Sequence, residues 1–267
     1  MAAGPNPRPE MPGLFITATD TGVGKTVIAA GLAVLLRRYG LRVGVFKPIA
    51  TGCVRRVRLG LVSEDAEYLA YFAESTEPLE VINPIRYRPA LAPSVAAERA
   101  RRAIDFQSLW QAYGRICQHS DVVLVEGIGG LLVPLSDRLF VADVAGQFGL
   151  PLVIVARATL GTINHTLLTI EAARRRQLQI AAVVLNCYNP DQASLAEETN
   201  PQAIAQHGQV PSPVVVPYDA RTDVAGVQLG PDVIAALQQM AWPEPIAALL
   251  GRSRARRSGR DWAGRYD

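Results

Sequence analysis

Short apolar runs alternate with longer amphipathic or Ala/Leu-rich segments along this chain. Leu14-Phe15-Ile16-Thr17 predicts a short buried strand, and 42–46 a second one. Asp121 to Val125 is apolar from its second residue onward. Leu152 to Ala156, Ile180 to Leu185 and Val214 to Val216 read in the same way. Between them, Lys25 to Tyr39 predicts a helix stopped by Gly40. Further helices are predicted over Glu64–Ala73, Phe106–Gln118, Thr162–Arg175 and Asp232–Met240, with a last turn at 245–250. Asn83 to Pro93 reads as an irregular loop.

Strands that are apolar along their whole length belong to sheets covered on both faces. Their alternation with helices predicts an α/β fold, a mostly parallel sheet with helices on both sides. Neither an internal repeat nor an interior linker breaks the pattern. Residues 13–251 are therefore expected to form one domain, with a disordered N-terminal segment at 1–12 and a disordered Arg-rich tail at 252–267. An apolar content of 49% against 19% charged residues suits a large core. No apolar run is long enough for a membrane span, and the Pro-rich start lacks the apolar core of a secretory signal. Cys53, Cys117 and Cys187 stand far apart with no Cys-x-x-Cys, which points away from a zinc site or a disulfide framework and towards a reducing cytoplasm.

Charge sharpens the picture in two places. The net charge is +3, but residues 252–267 alone carry +4, so the body gives no basic footprint for nucleic acid. Of 27 basic residues, 25 are Arg; the two lysines are Lys25 and Lys47. An ammonium is a compact point charge that a guanidinium fork does not replace in a tight phosphate site.

Both lysines fall where an open parallel sheet binds ligands, beyond the carboxyl ends of its strands. Asp20-Thr21-Gly22-Val23-Gly24-Lys25-Thr26 joins a strand to a helix and resembles a P-loop, although Thr19 stands where the general pattern has its first Gly. Backbone N–H groups there would hold phosphate oxygens, Lys25 would reach the terminal phosphates, and the Thr26 hydroxyl would ligate Mg²⁺. Glu126, after an apolar strand and before Gly127-Ile128-Gly129-Gly130, could complete the Mg²⁺ shell or be a solvated strand-end acid. Asp65 could do likewise, or merely favour a helix N-terminus. Asn186 could pair with a purine edge or belong to a turn. His119, His165 and His207 read as structural, and Ser94 has no triad partners.

Taken together, Phe15 to Thr26, Lys47-Pro48-Ile49-Ala50-Thr51-Gly52, Val125-Glu126-Gly127-Ile128-Gly129-Gly130, Val133-Pro134-Leu135-Ser136-Asp137 and Leu160-Gly161-Thr162-Ile163-Asn164-His165 resemble the dethiobiotin synthase family over about Gly13 to Tyr218. Ala18 stands where that family often has Gly. The resemblance implies a cyclo-ligase of biotin biosynthesis that joins CO₂ to 7,8-diaminononanoate with ATP, through a carbamate and a carbamic–phosphoric anhydride. It implies Lys47 and Lys25 as catalytic groups, and Thr26, Asp65 and Glu126 around Mg²⁺. ATP would lie along Gly22, Val23, Gly24, Lys25, Thr26, Val27, Gly127, Ile128 and Gly129. Its adenine would meet Asn186, Cys187, Pro217, Tyr218 and Asp219. The substrate would meet Thr21 and Thr51, and also Gly161, Thr162, Ile163 and Asn164 from the second subunit of a homodimer. No nucleic acid or membrane partner is implied.

Two other readings compete. A ParA-like ATPase that binds DNA shares the loop and could use the tail, but such proteins carry a further lysine early in the loop, and positions 18–24 have none. A catalytically silent binding domain would not need Lys25, Lys47, Asp65 and Glu126 together.

Overall fold

The computed structural model describes residues 11–263. In chain order the elements are β1 (Gly13–Ala18), α1 (Lys25–Arg38), β2 (Val43–Phe46), β3 (Ile49–Ala50), β4 (Val54–Arg56), β5 (Gly60–Val62), α2 (Glu64–Ala73), α3 (Leu79–Ile82), β6 (Ile85–Arg86), α4 (Pro93–Arg99) and α5 (Phe106–Gln118). They continue with β7 (Val122–Gly130), α6 (Val141–Phe148), β8 (Leu152–Arg157), α7 (Thr162–Arg175), β9 (Ile180–Tyr188), α8 (Leu195–Gly208), β10 (Val214–Pro217), α9 (Pro231–Leu237) and α10 (Glu244–Ala263).

Six strands form one sheet in the order β10-β9-β8-β1-β7-β2, every neighbouring pair parallel. β1, β7 and β8 are buried almost throughout, as their unbroken apolar runs require. On one face Phe148 is the hub of an aromatic cluster, with ring centroids 4.6 Å from Trp110, 4.8 Å from Tyr113 and 5.8 Å from Phe15. On the other, α1 packs beside α2 and α9. Gly31 lets α9 approach α1, because a Cβ there would meet Leu237 at 2.6 Å.

Local chemistry explains the helix starts. Asp105 accepts from the N–H groups of Gln107 and Ser108, capping α5. Ser63 caps α2 by accepting from Ala66 N–H, and the Glu197 carboxylate accepts from Ser194 N–H at the head of α8.

Several predicted elements differ in extent. The strand expected over 121–125 begins at Val122 and runs on through Gly130, so Glu126 and the glycines after it lie within β7 rather than in a turn beyond it. Glycine makes this possible: a Cβ at Gly127 would press on the Phe15 ring at 3.0 Å, and one at Gly130 would meet the Ala18 carbonyl at 2.9 Å. β9 likewise continues to Tyr188, placing Asn186 inside it, and the helix expected over 232–240 ends at Leu237. The stretch 83–93 is not wholly irregular, since Ile85–Arg86 pairs with Ile49–Ala50. The hairpin of β4 and β5 and the helices α3, α4, α6 and α8 have no counterpart in the sequence reading. α10 extends to Ala263, through most of the segment expected to be a disordered tail; residues 264–267, and nearly all of the expected N-terminal segment, lie outside the described residues.

Candidate active site

The loop from Thr19 to Gly24 leaves β1 at the centre of the sheet and enters α1. Gly22 (φ 72°) and Gly24 (φ 97°) hold left-handed conformations, the second at the N-cap of α1, where no side chain caps the free N–H groups. A Cβ on Gly24 would fall 2.0 Å from Asn186 Nδ2. Ala18 needs no such freedom: it is the last residue of β1, outside the left-handed region and buried, so the departure from glycine costs the loop nothing in backbone geometry.

Lys25 and Thr26 open α1 and are both buried. Lys25 Nζ turns back towards the Asp20 carbonyl, 3.5 Å away. Thr26 donates from Oγ1 to Glu126 Oε1 at 2.9 Å and also lies against the Asp65 carboxylate. Lys47, the residue after β2, is only 3% exposed. Its ammonium donates to Glu126 Oε1 at 2.5 Å and to Asp65 Oδ2 at 2.7 Å. Asp65 comes from the first turn of α2, so it does sit at a helix N-terminus, but its side chain is committed to Lys47.

The charges tune one another. Burial alone would lower Lys47, yet Asp65 and Glu126 outweigh it and hold the ammonium above its ordinary value. The Lys47 charge pulls Asp65 below the usual carboxylate range. Burial pushes Glu126 up, opposed by Lys47. Burial lowers Lys25, which feels Glu126, Lys47, Asp65 and Asp20. Lys47 thus bridges the pair of carboxylates, and Lys25 lies within electrostatic reach of both acids and of Lys47.

That site also has an opening for a cation. Glu126 Oε2 is buried with no hydrogen-bond partner, and Asp65 Oδ and Thr26 Oγ1 stand beside the same carboxylate. Two carboxylates and a hydroxyl are the hard oxygen donors that Mg²⁺ prefers, shared with phosphate and water. Among the described residues no group of three His, Cys, Asp or Glu side chains forms a closed metal cage.

The predicted adenine residues gather at the ends of β9 and β10, but with mixed roles. Asn186 is buried and donates from Nδ2 to the Val23 carbonyl at 2.9 Å, which laces the loop to β9; it is a strand residue rather than a turn residue. Cys187 follows it, exposed, at φ 60°. Pro217 ends β10, and the Tyr218 ring is exposed. The Asp219 carboxylate is engaged within the chain. It accepts from Arg221 Nε and Nη2, both at 2.8 Å, and from Asp232 N–H at the head of α9. Those bonds hold it down at about 2. A Cβ on Gly230 would overlap it, which is why the chain enters α9 through glycine.

The predicted substrate residues divide. Thr21 is exposed on the loop, and Thr51 is half-buried just after β3. Both stand at the carboxyl rim. Gly161 (φ 92°) caps α7 at the far side of β8, with Thr162 Oγ1 3.4 Å from Thr166 Oγ1 and Asn164 exposed. Within one chain, no hydrogen bond or ion pair joins Gly161–Asn164 to Lys25 or Lys47 among the described residues. A cavity of about 380 Å³ lies between, lined by Thr19, Asp20 and Thr21, by Gly130 to Pro134, and by the next turns of α7.

One supporting residue was missed in the sequence. Asn83 is 1% exposed and donates from Nδ2 to the Lys47 carbonyl at 2.6 Å and the Ile85 carbonyl at 3.3 Å, while Lys47 N–H donates to the Ile82 carbonyl. It fixes the main chain from which Lys47 projects. The only cue was an Asn before a Pro in a stretch without periodicity.

The central strand–loop–helix, the paired lysines and the buried acid on the neighbouring strand define a P-loop nucleotide-binding α/β protein. In agreement, the ParA family ATPase from Chlorobium tepidum superposes with a TM-score of 0.52 over 90% of this chain and 99% of that chain, at 13% identity, which speaks to the fold alone. A family model described as an AAA domain matches residues 12–225. The chain is 38% identical over 213 residues to the ATP-dependent dethiobiotin synthetase BioD of Thermodesulfovibrio yellowstonii, covering 77% of this chain and 88% of that protein. It is 44% identical over 181 residues to the synthetase of the same name from Anaeromyxobacter dehalogenans, covering 68% and 79%. The chain belongs to the dethiobiotin synthetase family of ATP-dependent ligases. No helix of the described residues is long and apolar enough to cross a membrane.

Proposed function

We propose that the protein closes a urea ring on 7,8-diaminononanoate, using CO₂ and ATP and releasing dethiobiotin, ADP and phosphate. The observation that carries this reading is the buried Lys47 ammonium bridging Glu126 and Asp65 at the rim of the sheet where Lys25 and Thr26 open α1, with Thr26 bonded to the same Glu126.

The chemistry must bring two anions together. One amine of the diamine attacks CO₂ and loses a proton, giving a carbamate. A carbamate oxygen attacks the γ-phosphorus of ATP, the bond to the β-phosphate oxygen breaks, and ADP leaves. The second amine then attacks the carbamoyl carbon, loses its proton and expels phosphate, which closes the ring. Carbamate and triphosphate repel each other, so fixed positive charge at their meeting point lowers the barrier. Lys25 is placed for the terminal phosphates. Lys47, desolvated and held by two carboxylates, is placed for the carbamate and the transferred phosphoryl group. The rest is positioning. Thr26, Asp65 and Glu126 would hold Mg²⁺, which when bound neutralises phosphate charge.

The open N–H groups of Gly22 to Lys25 and residues Val27 and Gly127 to Gly129 would line the triphosphate. Asn186, Cys187, Pro217, Tyr218 and the Asp219 main chain would bound the adenine. Thr21 and Thr51 would face the diamine. The Gly161–Asn164 segment would offer α7 N–H groups to the substrate carboxylate of a second copy. The exposure of Leu160 (83%), Leu168 (57%) and Leu132 (54%) around that segment and cavity supports a homodimer with composite sites.

The test is direct. With ATP, Mg²⁺, bicarbonate and the diamine, the protein should yield dethiobiotin by mass spectrometry, with ADP formation that depends on the diamine. ATP hydrolysis that ignores the diamine and rises with DNA would overturn the reading.

A further inference from the structure

Arg157 ends β8, where its residue pairs in register with Asn186 of β9. β8 also borders β1, the strand that leads into the phosphate loop. The guanidinium thus stands between the loop and the strand ends that carry the adenine residues. Its Nη2 lies 3.9 Å from the point a Cβ on Gly22 would occupy. Gly22 has φ 72° and no side chain to cover that approach.

Some arginines elsewhere on the frame are committed. Arg42 forks onto Asp121, Arg221 onto Asp219, and Arg174 onto the Gly208 carbonyl. Arg157 is exposed and, among the described residues, has no carboxylate partner. A planar guanidinium beside a loop of backbone N–H groups is suited to a phosphate, which it can grip with two parallel bonds.

We propose that Arg157 is a further nucleotide-binding residue, which grips the phosphate nearest the nucleoside. This rests on the nucleotide site described above. The position follows from the placement of the other cations: Lys47 bridges its two carboxylates on the β7 side of β1 and Lys25 opens α1 straight after the loop, while Arg157 lies on the β8 side, next to Asn186. The three cations then follow the triphosphate from its terminal end to its nucleoside end.

The experiment is calorimetric titration of the full chain with ADP and, separately, with adenosine. Arg157→Gln should bind ADP about tenfold more weakly, the usual scale for one charged hydrogen-bonding group. Its adenosine affinity should be unchanged. Arg157→Lys, which keeps the charge without the fork, should fall in between. If wild type binds ADP and the Gln variant binds it equally well, the role of Arg157 is overturned and the nucleotide site stands. If ADP and adenosine weaken equally, Arg157 acts only on the fold around the site, which also overturns the proposal. If wild type fails to bind ADP, the nucleotide site itself falls, and this inference with it. Should the Gln variant not fold, the Lys variant decides, with wild-type ADP affinity counting against the proposal.

Discussion

Lys47 Nζ and Glu126 Oε1 lie 2.5 Å apart in the interior of the sheet's carboxyl rim, with both side chains all but excluded from solvent. A buried ammonium of this kind survives only because Glu126 and Asp65 compensate its lost hydration. The same pairing fixes the point charge to within the width of one hydrogen bond. Replacing it by the wider, planar fork of Lys47→Arg should lower turnover by about 10²–10³-fold, the scale for removing one preorganised charge stabiliser. The circular dichroism spectrum and ADP binding should persist. Near-normal turnover in this variant would remove Lys47 from the reaction.

Asn83 carries a prediction of a different kind, since it acts on Lys47 only through the main chain. Asn83→Ala removes a buried donor from the Lys47 carbonyl and should cost about 1–3 kcal/mol in denaturant unfolding. If Asn83 positions Lys47, kcat should fall more than the KM for ATP rises. A stability loss with unchanged kcat would leave it a purely structural residue.

The proposed composite sites make a prediction about mixtures. Lys47→Arg and Asn164→Ala should each be poorly active alone. A refolded equal mixture should regain about a quarter of wild-type activity, because half the dimers are mixed and each holds one intact site under two-fold exchange of residues. No recovery, with dimers confirmed by sedimentation, would place Gly161–Asn164 outside the partner's site.

Asp219 sets a pH dependence of stability. Its hydrogen bonds from Arg221 hold the folded carboxyl at about 2, against an ordinary value of 3.8. A depressed carboxyl adds stability that is present above the unfolded value and is lost as pH falls through the folded one. The difference in thermal midpoint between wild type and Asp219→Asn should therefore be constant above about pH 4 and narrow towards pH 2. A gap that widened on acidification would show that the Arg221 bonds do not stabilise the fold.

The contrast between Asp219 and Glu126 shows where sequence reading works. Glu126 was legible because strand polarity alone brings the end of an apolar run to the same rim as the loop. The parallel sheet, the loop before α1 and Lys47 after β2 follow from the same rule. Asp219 looked like its neighbours in the turn, but its direction depends on Arg221 and on the head of α9, contacts no motif spells out. Asn83 was hidden for a similar reason: its target, the Lys47 carbonyl, lies 36 residues earlier in the chain. α8 went unread because Pro201 interrupts it and its faces are weakly segregated. β4 and β5 went unread because Val54–Arg56 is fully exposed and carries no core-facing residues. α10 shows the limit of composition, which foresees charge but not helix.

β7 pairs with β1 at Ile16 and Glu126, and again at Ala18 and Gly130. The strand that feeds the phosphate loop and the strand that bears the acid are thus paired at Glu126 itself, the residue that accepts from Thr26, and again beyond it. Glu126 and the start of the phosphate loop are thereby set on one plate, the buried parallel core of the sheet. Whatever yields to admit the proposed diamine and let its ring-closed product go must be sought off that plate, in the short pairings of residues 49–62 and at any seam with a neighbouring copy. Turnover in this enzyme would then be paced by its edges, around a centre that stays still.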